Sequence, residues 1–154
     1  MIRIGLDTSI MVVVEGFVRA SADAPQIERG RRLVRQIAQG ANRPLVPLEA
    51  LAELHDALVR HARLDVAEAN LRTAAWRRAS EAAFADQAAF DLALELAAGH
   101  ELPIRDAICL AVAALARCAV LLSQTLPDGL AVRGTIVSNP FGPRPDARIA
   151  PLLV

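Results

Sequence analysis

The sequence has 154 residues, enough for one domain with a real hydrophobic core, and 54% of them are hydrophobic. The formal net charge is zero, so the chain as a whole offers no electrostatic argument for binding nucleic acid. Apart from histidine, every basic residue is an arginine; the absence of lysine excludes P-loop nucleotide binding, which needs a phosphate-binding lysine, and Schiff-base catalysis, which needs an amine.

The predicted elements alternate between short apolar strands and longer helices. Continuous apolar runs predict buried strands, whereas apolar residues at helical spacing, such as Leu51, Leu54 and Leu58, predict helices. Proline in the first turn and glycine after the last turn mark several helix boundaries. In chain order we predict a strand over residues 2–6, helices over 10–18 and from Asp23 or Ala24 to Gln39, a strand at 45–46, helices over 47–61, 65–80, 85–98 and 104–117, and strands over 119–122 and 132–137.

This order of elements predicts an α/β fold. Strands separated by helices form a parallel sheet with helices on both faces, and we expect about four to five short, mainly parallel strands. Residues 47–99 form a helical hairpin region within the domain at 1–141. Residues 142–154 are rich in proline and end in three apolar residues, which predicts a C-terminal arm that packs on its own domain; packing on a partner is the alternative.

We expect a cytoplasmic protein that does not cross a membrane. No stretch of about 18 apolar residues free of charges is present, and the N-terminus lacks the basic and apolar regions of a signal peptide. Cys109 and Cys118 are isolated thiols in apolar surroundings, which is typical of reduced core residues.

Three carboxylates can be placed at one edge of the predicted sheet. Asp7 follows the first strand, Glu53 lies beside the apolar stripe of the helix after Pro47, and Asp106 lies in the first turn of the most apolar helix. Ligands of open α/β sheets bind beyond the carboxyl ends of the strands. Convergent carboxylates without a lysine to neutralise them indicate a divalent metal site.

Each carboxylate also has a purely structural interpretation. Asp7 can cap the following helix, although Thr8 and Ser9 could cap it equally well. Glu53 can belong to a solvated acidic face, and Asp106 can interact favourably with the helix dipole. Asp128 lies in a Pro-Asp-Gly sequence that is typical of a turn.

Two other kinds of site are not supported. The histidines show no spacing typical of a zinc site, such as His-x-x-x-His. Neither Ser9 nor Ser123 lies in a Gly-x-Ser-x-Gly nucleophile elbow, so a serine hydrolase is not indicated.

Taken in order, these residues resemble the PIN-domain family, and within it the VapC-type ribonuclease toxins. The resemblance spans residues 2–141, and its specificity lies in the order of the motifs because each motif is weak alone. It implies a three-layer α/β/α fold with a central, mainly parallel sheet. The matching segments are Leu6-Asp7-Thr8-Ser9-Ile10, residues 47–54, Arg105-Asp106-Ala107-Ile108, residues 121–129, and residues 134–141, which read Gly-Thr-Ile-Val-Ser-Asn-Pro-Phe.

The acidic site of the family maps onto this chain at three positions, Asp7, Glu53 and Asp106. In related sequences the strand that follows runs into Ser-Glu-Asp-Leu or similar, whereas residues 123–126 here read Ser-Gln-Thr-Leu. Thr125 thus replaces an expected acid. Asp128 is the nearest remaining carboxylate and is a further candidate metal ligand.

The resemblance implies cleavage of RNA by an endoribonuclease that depends on Mg²⁺ or Mn²⁺. Asp7 and Asp106 would hold the metal, and Glu53 would help to orient the attacking water. We expect supporting roles for three hydroxyl groups, those of Thr8, Ser9 and Ser123. The resemblance also implies a small antitoxin protein as partner and a homodimer.

Two alternatives are left open by the sequence. A PIN-like module with weak or no catalysis, which binds RNA or an antitoxin, is favoured by the loss of the expected acids at Gln124 and Thr125. A haloacid-dehalogenase-like phosphatase also begins with a strand that ends in aspartate. That family needs a second aspartate two residues later and a lysine, whereas this chain has Ser9 and no lysine.

Overall fold

The computed structural model describes residues 2–16, 24–40 and 43–154. Its strands are β1 (Ile4–Leu6), β2 (Leu45–Pro47), β3 (Glu81–Ala83), β4 (Val120–Leu122), β5 (Ala131–Val132) and β6 (Thr135–Ser138). Its helices are α1 (Thr8–Glu15), α2 (Ala24–Gln39), α3 (Leu48–Arg60), α4 (Val66–Ala79), α5 (Gln87–His100) and α6 (Ile104–Leu115), followed by a short 3-10 helix, Ala150–Leu152.

The strands form a single sheet in the order β3-β2-β1-β4-β6-β5. Every neighbouring pair is parallel except β5 and β6, which are antiparallel. Helices cover the sheet in a three-layer α/β/α arrangement, so the predicted fold class is confirmed. The predicted number of strands was wrong, since the described residues contain six strands rather than four or five.

The two extra strands escaped prediction for different reasons. β3 has the sequence Glu-Ala-Ala and lies at the edge of the sheet, so it lacks the apolar run that marks a buried strand. The strand predicted over residues 132–137 is a hairpin, because Arg133 and Gly134 adopt φ angles of 48° and 87°. Two successive residues with positive φ favour a tight turn that joins antiparallel strands.

Most helix boundaries lie within a few residues of their predicted positions. α1 begins at Thr8, two residues earlier than predicted, because Asp7 is its N-cap. It ends at Glu15, and Gly16 caps it with a φ of 79°. Residues 17 and 18 of the predicted first helix, and Asp23 as the alternative start of the second, lie outside the described residues.

Close packing of α6 against β1 depends on small side chains. A Cβ atom added to Gly5 would lie 3.1 Å from Cδ1 of Leu121 and 3.6 Å from Cβ of Ala113 on α6. Ala107, Ala111 and Ala113 on α6 are completely buried. Glycine and alanine thus allow α6, which carries Asp106, to approach the centre of the sheet.

The C-terminal arm packs on its own domain, as predicted. Ile149 is completely buried, and Leu152 and Leu153 pack against the hydrophobic core. The backbone N–H of Asp146 donates a hydrogen bond of 2.9 Å to Oγ of Ser138 at the end of β6. The division of the chain at residue 142 stays a prediction.

Two further expectations concern the interior and the membrane. Cys109 and Cys118 are both buried and form no disulfide, as expected for core thiols.

Within the described ranges, none of the helices has the length and apolar character that crossing a bilayer requires.

We predict that Ile149→Ala lowers the free energy of unfolding by about 2–4 kcal/mol, because it leaves a cavity between the arm and the core. Chemical denaturation measures the change. Val154→Ala is the matched control, since Val154 is 88% exposed, and it should change stability by less than about 0.5 kcal/mol. Equal effects of the two substitutions would contradict docking of the arm.

Candidate active site

The register of the parallel strands brings several polar residues to one edge of the sheet. Leu6 pairs with Leu122, and Leu122 pairs with Ser138. The next residue along β1, Asp7, donates its backbone N–H to the carbonyl oxygen of Leu122 at 3.1 Å. The side chains that follow these strands therefore lie at the carboxyl edge, where ligands of open α/β sheets bind.

A cavity of about 200 Å³ opens at this edge. The three carboxylates singled out in the sequence, Asp7, Glu53 and Asp106, all line it. Its other lining residues are Thr8, Ser9, Ala50, Arg105, Cys109 and Thr125. The structure thus brings together acids that are separated by as many as 99 positions along the chain.

Asp7 caps a helix and lines the cavity at the same time. Its Oδ1 accepts hydrogen bonds from the backbone N–H of Ser9, at 2.8 Å, and from the Ser9 hydroxyl group. The Ser9 Oγ in turn accepts the backbone N–H of Gln124 at 2.9 Å. The two interpretations of Asp7 as cap and as site residue are therefore compatible, and Ser9 links the end of β1 to the segment after β4.

Thr8 joins the start of α1 to α3. Its hydroxyl group lies 3.1 Å from the carbonyl oxygen of Ala50 and 3.4 Å from Oε2 of Glu53. Because α3 begins immediately after β2, its first two turns lie beside the cavity. The contact with Thr8 restricts the orientation of the Glu53 carboxylate.

The pKa values of all three acids lie above their ordinary values. Burial is the largest cause for each, and the Asp7 carboxyl group is the most deeply buried of the three. Hydrogen bonds from Ser123 and Ser9 oppose the rise in the pKa of Asp7, and the charge of Asp106 adds to it. The positive charge of Arg105 opposes the rise in the pKa of Glu53. The acids therefore repel one another in a site that disfavours their charge.

Hydroxyl groups occupy the corner of the site where the sequence lacks an acid. Ser123 Oγ accepts the backbone N–H groups of Thr125 and Leu126, at 3.1 and 3.0 Å, and so shapes the turn after β4. The Thr125 hydroxyl group lies 3.5 Å from Oδ2 of Asp7. Thr125, at the position where the sequence resemblance implied an acid, thus faces the Asp7 carboxylate.

The structure places Asp128 outside this cavity. The Asp128 carboxylate accepts the backbone N–H of Asn139 at 2.9 Å, and Gly129 adopts a φ of 84° in the predicted turn. The Asp128 side chain thus holds the turn before β5 against the end of β6.

The donor set suits a hard divalent cation better than a soft one. The carboxylate and hydroxyl oxygens that line the cavity are the ligands preferred by Mg²⁺ and Mn²⁺. Within the described residues, however, no three histidine, cysteine or acidic side chains are close enough together to hold a metal ion. The residue types therefore suit such a cation, but the acids lie farther apart than the ligands of a bound metal ion.

Three cavity-lining residues, Ala50, Arg105 and Cys109, were not singled out in the sequence as site residues. Arg105 directly precedes Asp106, and a cation in the first turn of a helix is unfavourable, which could have drawn attention to it. Cys109 lies one helical turn after Asp106, on the same face of α6, and was predicted only as a core thiol. Its buried side chain forms part of the cavity wall.

No protein-family model and no curated protein sequence matches this chain. Its fold is similar to that of VapC20 from Mycobacterium tuberculosis, a sarcin–ricin loop cleaving toxin, with a TM-score of 0.60 and 20% identity over 77% of this chain and 86% of the other. It is also similar to a toxin–antitoxin complex from Klebsiella pneumoniae, with a TM-score of 0.62 and 16% identity over 87% of this chain and 95% of the other. The chain has a VapC-type PIN-domain fold. At these identities the VapC likeness concerns the fold.

We predict that Asp7→Asn stabilises the metal-free protein by roughly 1 kcal/mol, which raises Tm by about 2–4 °C. Asparagine keeps the N-cap acceptor and removes the buried charge. Because the pKa of Asp7 is higher in the folded state, the folded state holds its proton more tightly. Wild-type stability should therefore fall as pH rises from the ordinary pKa of 3.8 through the raised value.

Thermal denaturation in a chelating buffer across this pH range measures both effects. The control is Asp91→Asn, which changes an exposed carboxylate on α5, and it should leave the pH profile unchanged. A lower Tm for Asp7→Asn than for the wild type at neutral pH would show that burial does not disfavour the Asp7 charge.

Proposed function

We propose that this protein is a metal-dependent endoribonuclease that cleaves RNA phosphodiester bonds, and that it is the toxin of a toxin–antitoxin pair. The observation that carries the proposal is the convergence of Asp7, Glu53 and Asp106 on one cavity at the carboxyl edge of a VapC-type PIN fold. Neither the fold nor the acids would support the proposal alone, because one fold hosts many functions.

Asp7 and Asp106 would hold the metal, and their oxygen ligands suit Mg²⁺ or Mn²⁺. A bound divalent cation lowers the pKa of a coordinated water and offsets negative charge on the phosphate. Asp128 is turned toward the backbone of Asn139, so we do not assign it to the metal.

Glu53 would accept a proton from the attacking water and orient it. Its carboxylate is half-buried at the cavity, and burial raises its pKa toward the range in which a carboxylate is an effective base. The Thr8 hydroxyl group at 3.4 Å restricts its orientation. Ser9 and Ser123 would act as positioning residues, because their hydrogen bonds support Asp7 and the turn after β4.

RNA as substrate and an antitoxin as partner are proposed by analogy. One similar structure is a toxin that cleaves the sarcin–ricin loop, and the other is a toxin–antitoxin complex. We extend these properties to this chain because its cavity carries the acids that such hydrolysis needs. A homodimer and a cytoplasmic location remain expectations from the sequence resemblance.

A catalytically weak module is the second candidate function, and Thr125 is the observation that favours it. A hydroxyl group faces Oδ2 of Asp7 where related sequences carry an acid. With one carboxylate fewer, the site attracts a cation less strongly. Mg²⁺ retains several waters when it binds proteins, so three carboxylates can still suffice for turnover.

We predict that the purified, partner-free protein cleaves a broad RNA pool in Mn²⁺ or Mg²⁺ and not in a chelating buffer. Asp7→Asn and Asp106→Asn should each lower the rate at least about 100-fold, because each removes a charge that holds the metal. Single-turnover cleavage with excess enzyme measures the rates.

Asp128→Asn is the matched control for these substitutions. It should retain cleavage within about twofold, since asparagine still accepts the Asn139 N–H and Asp128 does not line the cavity. Absence of metal-dependent cleavage of the whole RNA pool by the wild type would reject the enzyme and leave the binding module.

We predict that Thr125→Asp tightens Mn²⁺ binding by about tenfold and lowers the stability of the metal-free protein, since it adds an acid beside Asp7. Thr125→Asn has nearly the same shape and no charge, and should show neither effect. Calorimetric titration with Mn²⁺ and metal-free thermal denaturation measure the two quantities. Equal Mn²⁺ affinities of the two variants would show that position 125 does not face the metal.

A further inference from the structure

Arg105 is a cation in a cavity otherwise lined by acids and neutral groups. It lines the same cavity as Asp7, Glu53 and Asp106, and among the lining residues that the structure describes no other carries a positive charge. Its charge is close enough to act on the Glu53 carboxylate. The residue itself is exposed, so its guanidinium group is accessible from solvent at the cavity.

The guanidinium group of Arg105 is not engaged elsewhere. In the part of the chain that the structure describes, it takes part in no hydrogen bond or salt bridge. By contrast, Arg3, Arg72 and Arg148 each form a salt bridge with an acid. The five N–H donors of Arg105 are therefore available to a ligand.

The position of Arg105 also has a cost. It is the second residue of α6, whose N-cap, Pro103, provides no side-chain hydrogen bond. The N-terminal end of a helix carries partial positive charge, so a cation there is disfavoured by about 0.3–1 kcal/mol. Arg105 is exposed, and its charge acts on the Glu53 carboxylate in the cavity. Its position therefore indicates a role at the cavity.

We propose that Arg105 binds a backbone phosphate of the RNA substrate at the entrance of the acid cavity, through paired N–H donors. The proposal rests on the proposed ribonuclease function and adds the group that brings the phosphate to the site. It assigns Arg105 to substrate binding and does not assign it to the metal.

Charge balance explains why such a residue is needed. A phosphodiester that approaches three carboxylates is repelled, and a bound divalent cation offsets only two of their charges. The planar guanidinium group matches the geometry of two phosphate oxygens and keeps its charge at any physiological pH. Arg105 thus supplies an attraction for the RNA backbone that does not depend on base sequence.

The test compares RNA binding by Arg105→Gln, Arg105→Lys and Arg117→Gln with binding by the wild type. Arg117 is the matched control, because it is an exposed arginine just beyond the opposite end of α6. The probe is a fluorescein-labelled, random-sequence single-stranded RNA, measured by anisotropy in Ca²⁺ over a series of salt concentrations. Gel analysis verifies that the RNA stays intact.

We expect Arg105→Gln to bind the RNA roughly tenfold more weakly, because it loses charge-assisted hydrogen bonds. The slope of log affinity against log salt should become shallower by about 0.7, as for one lost phosphate contact on a single strand. Arg105→Lys should fall between the wild type and Arg105→Gln, since it keeps the charge and loses the paired donors. Arg117→Gln should match the wild type in both affinity and slope.

A Mn²⁺ titration separates substrate binding from an indirect effect on the acids. Because Arg105→Gln removes a positively charged side chain beside the carboxylates, it should leave the affinity for Mn²⁺ unchanged or raise it, while the affinity for RNA falls. A merely structural role would not move the two affinities in this way. Loss of Mn²⁺ affinity in Arg105→Gln that matches its loss of RNA affinity would overturn the proposal.

Equal RNA affinity and salt slope for Arg105→Gln and Arg117→Gln would also overturn it, as would failure of the wild type to bind the RNA. The outcome is distinguishable from failure of the proposed function. Binding that depends on Arg105 without cleavage in Mn²⁺ would reject the enzyme and retain the phosphate contact. Cleavage that is unaffected by Arg105→Gln would retain the enzyme and reject the phosphate contact.

Discussion

The burial of the Asp7 carboxylate at the end of the central strand is the constraint on which the site depends. β1 lies between β2 and β4, so Asp7 emerges in the middle of the carboxyl edge and not at its margin. Its Oδ1 is committed to Ser9, while Oδ2 is directed toward Thr125. The N-cap bonds thus hold the carboxylate in one orientation, and the other oxygen remains directed at the cavity.

The same arrangement opposes stability. Three acids share one small cavity, and burial raises the pKa of each. A bound cation would offset both the unfavourable free energy of burying charged carboxylates and the repulsion between them. Without a cation, these two effects lower the stability of the folded protein. The hydroxyl groups around the cavity do not neutralise charge. They orient Asp7 and Glu53, and the hydroxyl group of Thr125, which lies 3.5 Å from Oδ2 of Asp7, adds no charge to the site.

The convergence of Asp7, Glu53 and Asp106 could be predicted from the α/β order, because Asp7 follows a strand, Glu53 lies within the first two turns of α3 and Asp106 lies in the first turn of α6. The details could not. β3 has no apolar run that would mark it as a strand, and it is a strand through its parallel pairing with β2. The place of Asp128 depends on a hydrogen bond to Asn139, which is a product of tertiary structure. Arg105 was visible in its motif, but only the shared cavity shows that its charge lies among the acids.

The central claim, that Asp7 anchors a divalent-metal site, is tested most directly by the effect of Mn²⁺ on Tm. A ligand that binds only the folded state at 100 times its Kd stabilises a protein by about 2.7 kcal/mol. Saturating Mn²⁺ should raise the Tm of the wild type by several degrees and leave that of Asp7→Asn nearly unchanged. An equal shift in both proteins, or no shift in the wild type, would contradict this claim.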